Sequence, residues 1–156
     1  MVEISEIIEK NIQEYGKDRK ALLPILQNIV YEKRYLSEDT LVQVAKSLDI
    51  SSATVFGTAS FYSFLGLEPR GKHLVRVCKT IVCDMNGKDE IMSTLEKTLD
   101  IKFGETTGDK KFTLLTTNCL GWCANGPAML IDDDVYTDLT PDKVIEIIQS
   151  YKKERE

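Results

Sequence analysis

The sequence predicts an α+β protein, an N-terminal helical bundle followed by an α/β unit that holds every cysteine. Three observations lead there. Four short patterns at the helical period fill the chain as far as Tyr62. Beyond Gly71, strand-like alternation takes turns with helical stripes. Between them, residues 63–72 hold two glycines, a proline and no period. The expected domains are residues 1–70, helical, and residues 71–156, α/β.

Residues 4–15 put Ile4, Ile7, Ile8 and Ile12 on one stripe, and Gly16 ends that helix. A second helix is expected from about Arg19 to Lys33, burying Leu22, Leu26, Ile29 and Val30. Ser37 reads as an N-cap, with Glu38 and Asp39 favouring the positive end of a helix whose stripe is Leu41, Val44, Ala45 and Leu48. Ser51 or Ser52 caps a fourth, carrying Val55, Ala59 and Tyr62. His73 to Val77 alternates and ends at Cys78, as a strand does. Ile91, Met92, Leu95 and Leu99 form a helix beginning near Asn86-Gly87. Phe112 to Thr117 is β-rich and leads into Cys119. Ala128 to Ile131 and Val135-Tyr136 flank Asp132-Asp133-Asp134 as a hairpin. Thr140-Pro141 opens a last helix with Val144, Ile147, Ile148 and Tyr151 buried. Strand, helix, strand, hairpin, helix is a thioredoxin-like order.

At 156 residues the chain can bury a core without cysteine staples. A net charge of −5, with no basic patch, excludes a nucleic-acid partner. Residues 1–72 carry 9 Lys/Arg against 10 Asp/Glu, and residues 73–156 carry 11 against 15, so the cysteine-bearing half is the more acidic. No signal peptide or apolar run of spanning length is visible, which implies a cytoplasmic location and no direct membrane insertion. Thiols stay reduced there, so a cysteine quartet reads as a metal site rather than two disulfides.

The quartet is Cys78 and Cys83, spaced C-x4-C, then Cys119 and Cys123, spaced C-x3-C, with 35 residues between the pairs. Thiolates suit zinc or an iron–sulfur cluster. Structural zinc usually takes tighter knuckles, often with histidine, and His73 is the single histidine. C-x4-C is a spacing that ferredoxins use, which favours a [2Fe-2S] cluster and leaves zinc open. Gly121 and Gly126 allow backbone to approach inorganic sulfide closely. The loop from Lys79 to Val82 offers N–H groups, and the helix near Asn86-Gly87 offers its positive end. A dithiol catalyst is not expected, because its C-x-x-C is missing. Trp122 reads as a packed cover over the site, and Phe61, Tyr62 and Phe64 as core. His73 reads as a surface or capping residue, and residues 132–134 as a solvated turn without the glutamate of a calcium loop. No catalytic residue is expected. The absence of G-x-G-x-x-G after a strand and of a Walker-type loop argues against nucleotide binding.

Several motifs together resemble a known family. They are Gly71-Lys72-His73 leading to Val77-Cys78 and Cys83, Gly104-Glu105-Thr106-Thr107, Asn118-Cys119-Leu120-Gly121-Trp122-Cys123, and Val135-Tyr136 before Leu139-Thr140-Pro141-Asp142-Lys143-Val144. In the helical part, Tyr35-Leu36-Ser37 and Ala59 to Phe64 join them. The family is the 24 kDa-type [2Fe-2S] subunit of NADH:quinone oxidoreductase (complex I), with relatives in cytoplasmic NAD(P)-linked hydrogenases and formate dehydrogenases. The resemblance runs from about Leu22 to Ile148. It implies a thioredoxin-like ferredoxin domain with a helical docking domain before it, and Cys78, Cys83, Cys119 and Cys123 as the cluster ligands. Gly126 departs from the alanine more usual before this proline.

Such proteins are one-electron carriers docked on a flavoprotein subunit that binds FMN, NAD(H) and an iron–sulfur cluster, in some assemblies beside a hydrogenase catalytic subunit. The resemblance therefore implies an electron-transfer subunit of an NAD(P)-linked oxidoreductase, with hydride chemistry left to the partner. The helices and the Phe61 to Leu67 segment are the expected docking surface. Composition rich in Lys, Ile and Glu leans toward a soluble hydrogenase-type complex, electron-bifurcating forms included. The alternatives are a respiratory quinone-linked complex and a zinc-stabilised structural module.

Overall fold

A computed structural model describes residues 3–153. The chain divides into two compact units, Met1–Arg70 and Gly71–Glu156, each with its own apolar core.

The first unit is four helices, α1 (Ile4–Tyr15), α2 (Leu22–Lys33), α3 (Glu38–Leu48) and α4 (Ser52–Phe61). Their stripes meet in a cluster that includes Ile8, Ile25, Leu26, Ile29, Val44, Val55 and Ala59. Ser37 and Ser51 cap α3 and α4 by accepting the N–H of Thr40 and Thr54, each at 3.2 Å. Glu3 and Glu6 form a reciprocal capping box at the start of α1. The expected second helix begins instead as a 3₁₀ turn, Arg19–Ala21, whose cap Asp18 accepts the Lys20 N–H at 2.7 Å. The buried Asn11 gives its amide to Ile7 O and takes one from Asn28, tying α1 to α2. Tyr62 falls just past the end of α4 and is exposed, so it does not share the buried stripe.

The second unit is a four-stranded sheet in the order β2-β1-β3-β4. Its strands are β1 (His73–Cys78), β2 (Phe112–Thr117), β3 (Met129–Ile131) and β4 (Asp134–Tyr136). β1 runs parallel to β2 and antiparallel to β3, and β3 and β4 make a hairpin. All six β1 residues are buried, as its central place in the sheet requires. Helices α5 (Ile81–Met85) and α6 (Lys88–Leu99) occupy the crossover between β1 and β2, and α7 (Pro141–Lys153) closes the chain. Ile91, Leu95, Val144 and Ile148 from α6 and α7 pack with Val75, Val77, Leu114, Met129 and Ile131 of the sheet. The end of the expected final helix, residues 154–156, lies outside the described residues.

Two polar readings are corrected. His73 is buried, its Nδ1 2.8 Å from Asp132 Oδ2, with its ring against Phe112 and Tyr151. Asp132 is no solvated turn residue: its other oxygen accepts the Leu74 N–H at 3.0 Å. One carboxylate thus anchors both the side chain and the backbone at the start of β1.

Candidate metal centre

The sheet explains why two cysteine pairs 35 residues apart in sequence meet. Parallel strands finish at the same edge, and the ladder sets Cys78, the last residue of β1, opposite Thr117, the last of β2. The segments that leave the two strands therefore emerge side by side, with Cys83 on α5 after one and Cys119 and Cys123 after the other. The antiparallel β3 starts at this edge too, with Met129 opposite Val77. Two backbone bonds lace it together, Lys79 N–H to Thr117 O at 2.9 Å and Cys78 N–H to Ala128 O at 3.1 Å.

The thiols stand as two unlike pairs. Cys78 and Cys83 are buried, 2% and 1% exposed, and touch one another. Cys119 and Cys123 are exposed, with their sulfurs 3.3 Å apart. Among the described residues no three His, Cys, Asp or Glu side chains converge as a single ion requires.

Three of the thiols respond to their surroundings. Burial pushes the Cys78 thiol up, but the hydroxyl and N–H of Thr80, the Cys83 thiol and the Leu120 N–H outweigh it and hold Cys78 below the ordinary cysteine value. Burial and then the Cys78 thiol raise Cys83, against the Ala128 N–H. Cys123 is raised first by the Cys119 thiol and also by negative charge on Cys78 and Cys83. Both pairs therefore lie within electrostatic reach of each other.

The surrounding backbone leaves room beside the sulfurs. Gly121 has φ +89°, a left-handed conformation that favours glycine, and its N–H reaches Cys119 Sγ at 3.3 Å. A Cβ on Gly126 would lie 3.4 Å from Cys83 Sγ. Four thiols in two pairs, backbone donors aimed at sulfur and two glycines that keep side-chain bulk away from it fit a two-iron cluster, which takes a pair of thiolates on each iron.

Other sequence expectations fare differently. Trp122 is 50% exposed, so it borders the exposed pair without burying it. Phe61, Tyr62 and Phe64 are not core: all three are exposed, Phe61 to 79%. The stretch read as a loop from Lys79 to Val82 enters the short helix α5 at Ile81. Sequence reasoning missed Thr80, whose signal was a hydroxyl two residues after a cysteine. No helix among the described residues is long and apolar enough to cross a membrane.

Comparison with known proteins bears on this arrangement. The family model described as thioredoxin-like [2Fe-2S] ferredoxin matches residues 8–152. The chain is 39% identical over 147 residues to the E subunit of the NADH-quinone oxidoreductase of Escherichia coli (strain K12), covering 94% of this chain and 89% of that one. It is 34% identical over 144 residues to the corresponding Pseudomonas aeruginosa protein, covering 92% and 87%. Its fold is similar to that of an NAD+-reducing [NiFe]-hydrogenase in the H2-reduced state, with a TM-score of 0.77 at 20% identity. That match covers 90% of this chain and 23% of the hydrogenase chain, and it speaks for the fold alone.

Proposed function

Because this chain belongs to the thioredoxin-like [2Fe-2S] ferredoxin family, we propose that Cys78, Cys83, Cys119 and Cys123 hold its cluster and that it passes single electrons within a multisubunit NAD(H)-linked oxidoreductase. The observation behind the ligand assignment is the parallel β1–β2 ladder, which delivers both cysteine pairs to one edge of the sheet. When bound, the cluster supplies one-electron chemistry by changing its charge state. The chain supplies four thiolates, N–H donors from Thr80, Leu120, Gly121 and Ala128, and partial exclusion of water on the Cys78–Cys83 side.

For the holoenzyme, identity of 39% across 94% of the chain favours a quinone-linked complex like that of the E. coli relative. The soluble hydrogenase-type reading has the shared fold behind it. In either, the partner is a flavoprotein subunit carrying FMN, NAD(H) and an iron–sulfur centre. The docking surface in the first unit is the exposed group Phe61, Tyr62 and Phe64, since clustered exposed aromatics are typical of interfaces.

Purified chain, reconstituted without oxygen, should contain about two irons and two acid-labile sulfides. It should be coloured when oxidised and give a paramagnetic signal after dithionite. A colourless preparation holding zinc without sulfide overturns the reading. Tyr62→Ala and Phe64→Ala should weaken co-purification with the flavoprotein while leaving the colour intact.

A further inference from the structure

Thr80 occupies the N-cap position of α5, with φ −77° and ψ 159°, yet its side chain makes no capping bond. In the same position before α3 and α4, Ser37 and Ser51 each accept a backbone N–H. A capping hydroxyl contributes about 1 kcal/mol to a helix. Thr80 forgoes that bond, and its Oγ1 stands 3.1 Å from Cys78 Sγ. This contact is shorter than the one Gly121 N makes with Cys119 Sγ.

On the ligand assignment above, we propose that Thr80 is a positioning residue that sets the reduction potential of the centre, its hydroxyl donating to the Cys78 thiolate and favouring the reduced state. A thiolate ligand has no proton to give, so the hydroxyl must be the donor. An added electron places more negative charge on the sulfurs, and a hydrogen bond donated to a charged acceptor strengthens with that charge. Cys78 is buried, so water cannot replace the hydroxyl once it is removed. Around the exposed Cys119 and Cys123, water can make such a substitution. The contact therefore matters most at Cys78. Its neighbour Cys83 feels the same hydroxyl.

The test compares Thr80→Val and Thr80→Ala, which delete the hydroxyl, with Thr80→Ser, which keeps it. All are made in the full chain and reconstituted alike. Potentials come from titration followed by paramagnetic resonance, and iron–thiolate stretching bands from resonance Raman spectra. In the valine and alanine variants the ratio of reduced to oxidised cluster at the wild-type midpoint should fall on the order of tenfold, about 59 mV for one electron. Their stretching bands should move, while serine stays near wild type and iron and sulfide contents do not change. A midpoint unmoved in both hydroxyl-free variants, or serine shifting as far as valine, overturns the role of Thr80 and leaves the ligand assignment standing. Wild-type chain that loads zinc and no sulfide overturns the assignment and this proposal with it. The alanine variant keeps the test open should valine fail to load.

Discussion

Gly121 and Gly126 stand beside the thiols under different constraints. At Gly121 a side chain would meet open space, but φ +89° strains any residue with a Cβ, at a cost of about 1–2 kcal/mol. At Gly126 φ and ψ are those of ordinary extended backbone and the space is tight, with a Cβ 3.3 Å from Asn86 Nδ2 and 3.4 Å from Cys83 Sγ. Gly121→Ala should therefore loosen the Cys119–Cys123 loop and hasten bleaching of the cluster in air. Gly126→Ala should keep the iron content unchanged and cost under about 1 kcal/mol. The opposite order in a bleaching assay would contradict this reading. Asp132→Ala removes the acceptor for His73 and for the Leu74 N–H, and should lower stability by about 2–3 kcal/mol in urea unfolding. Asp132→Asn, which suits the left-handed φ of +53°, should lose less. Spacing along the chain singled out the four cysteines, and the fold brings both pairs to one edge of the sheet. Residue chemistry was not legible for His73 and Asp132, because partners 59 residues apart leave no local trace.

Among the elements, β1 and β2 bring the site together through their shared register, and Gly71 sits at the other end of that ladder. Its N–H donates to Thr113 Oγ1 at 2.7 Å, and a Cβ there would lie 2.9 Å from the Phe112 backbone. Backbone yields less readily than a side-chain tip, so Gly71→Ala should destabilise the fold by about 1–3 kcal/mol. Cluster retention should fall with it, because the pairing of the two strands is what aligns the thiols. Ser51→Ala makes the contrast: loss of that cap should cost about 1 kcal/mol in unfolding experiments and leave the visible spectrum unaltered. Most elements declared themselves through period and caps. The helix α5 did not, since five residues are too few for a stripe, and the Arg19–Ala21 turn read as a continuation of α2.

Across the whole molecule, each unit has a core of its own. We propose Gly71 as the start of an independent domain: residues 71–156 expressed alone should fold and take up the cluster, and should lose capture of the flavoprotein. A fragment that stays unfolded would show that the two units depend on each other. In the sequence the proposed boundary rests on composition, since Gly66, Pro69 and Gly71 interrupt every period. Apolar character misassigned Phe61, Tyr62 and Phe64, because by itself it does not separate a core aromatic from an exposed one.

The difference in shelter between the two thiol pairs has a practical side. In a chain stripped of iron, Cys119 and Cys123 are open to solvent with sulfurs 3.3 Å apart, so dissolved oxygen can join them into a bridge. Cys78 and Cys83 are screened from the same fate. An aged colourless stock would then be a locked container, and a dithiol reagent would have to unlatch it before any refilling.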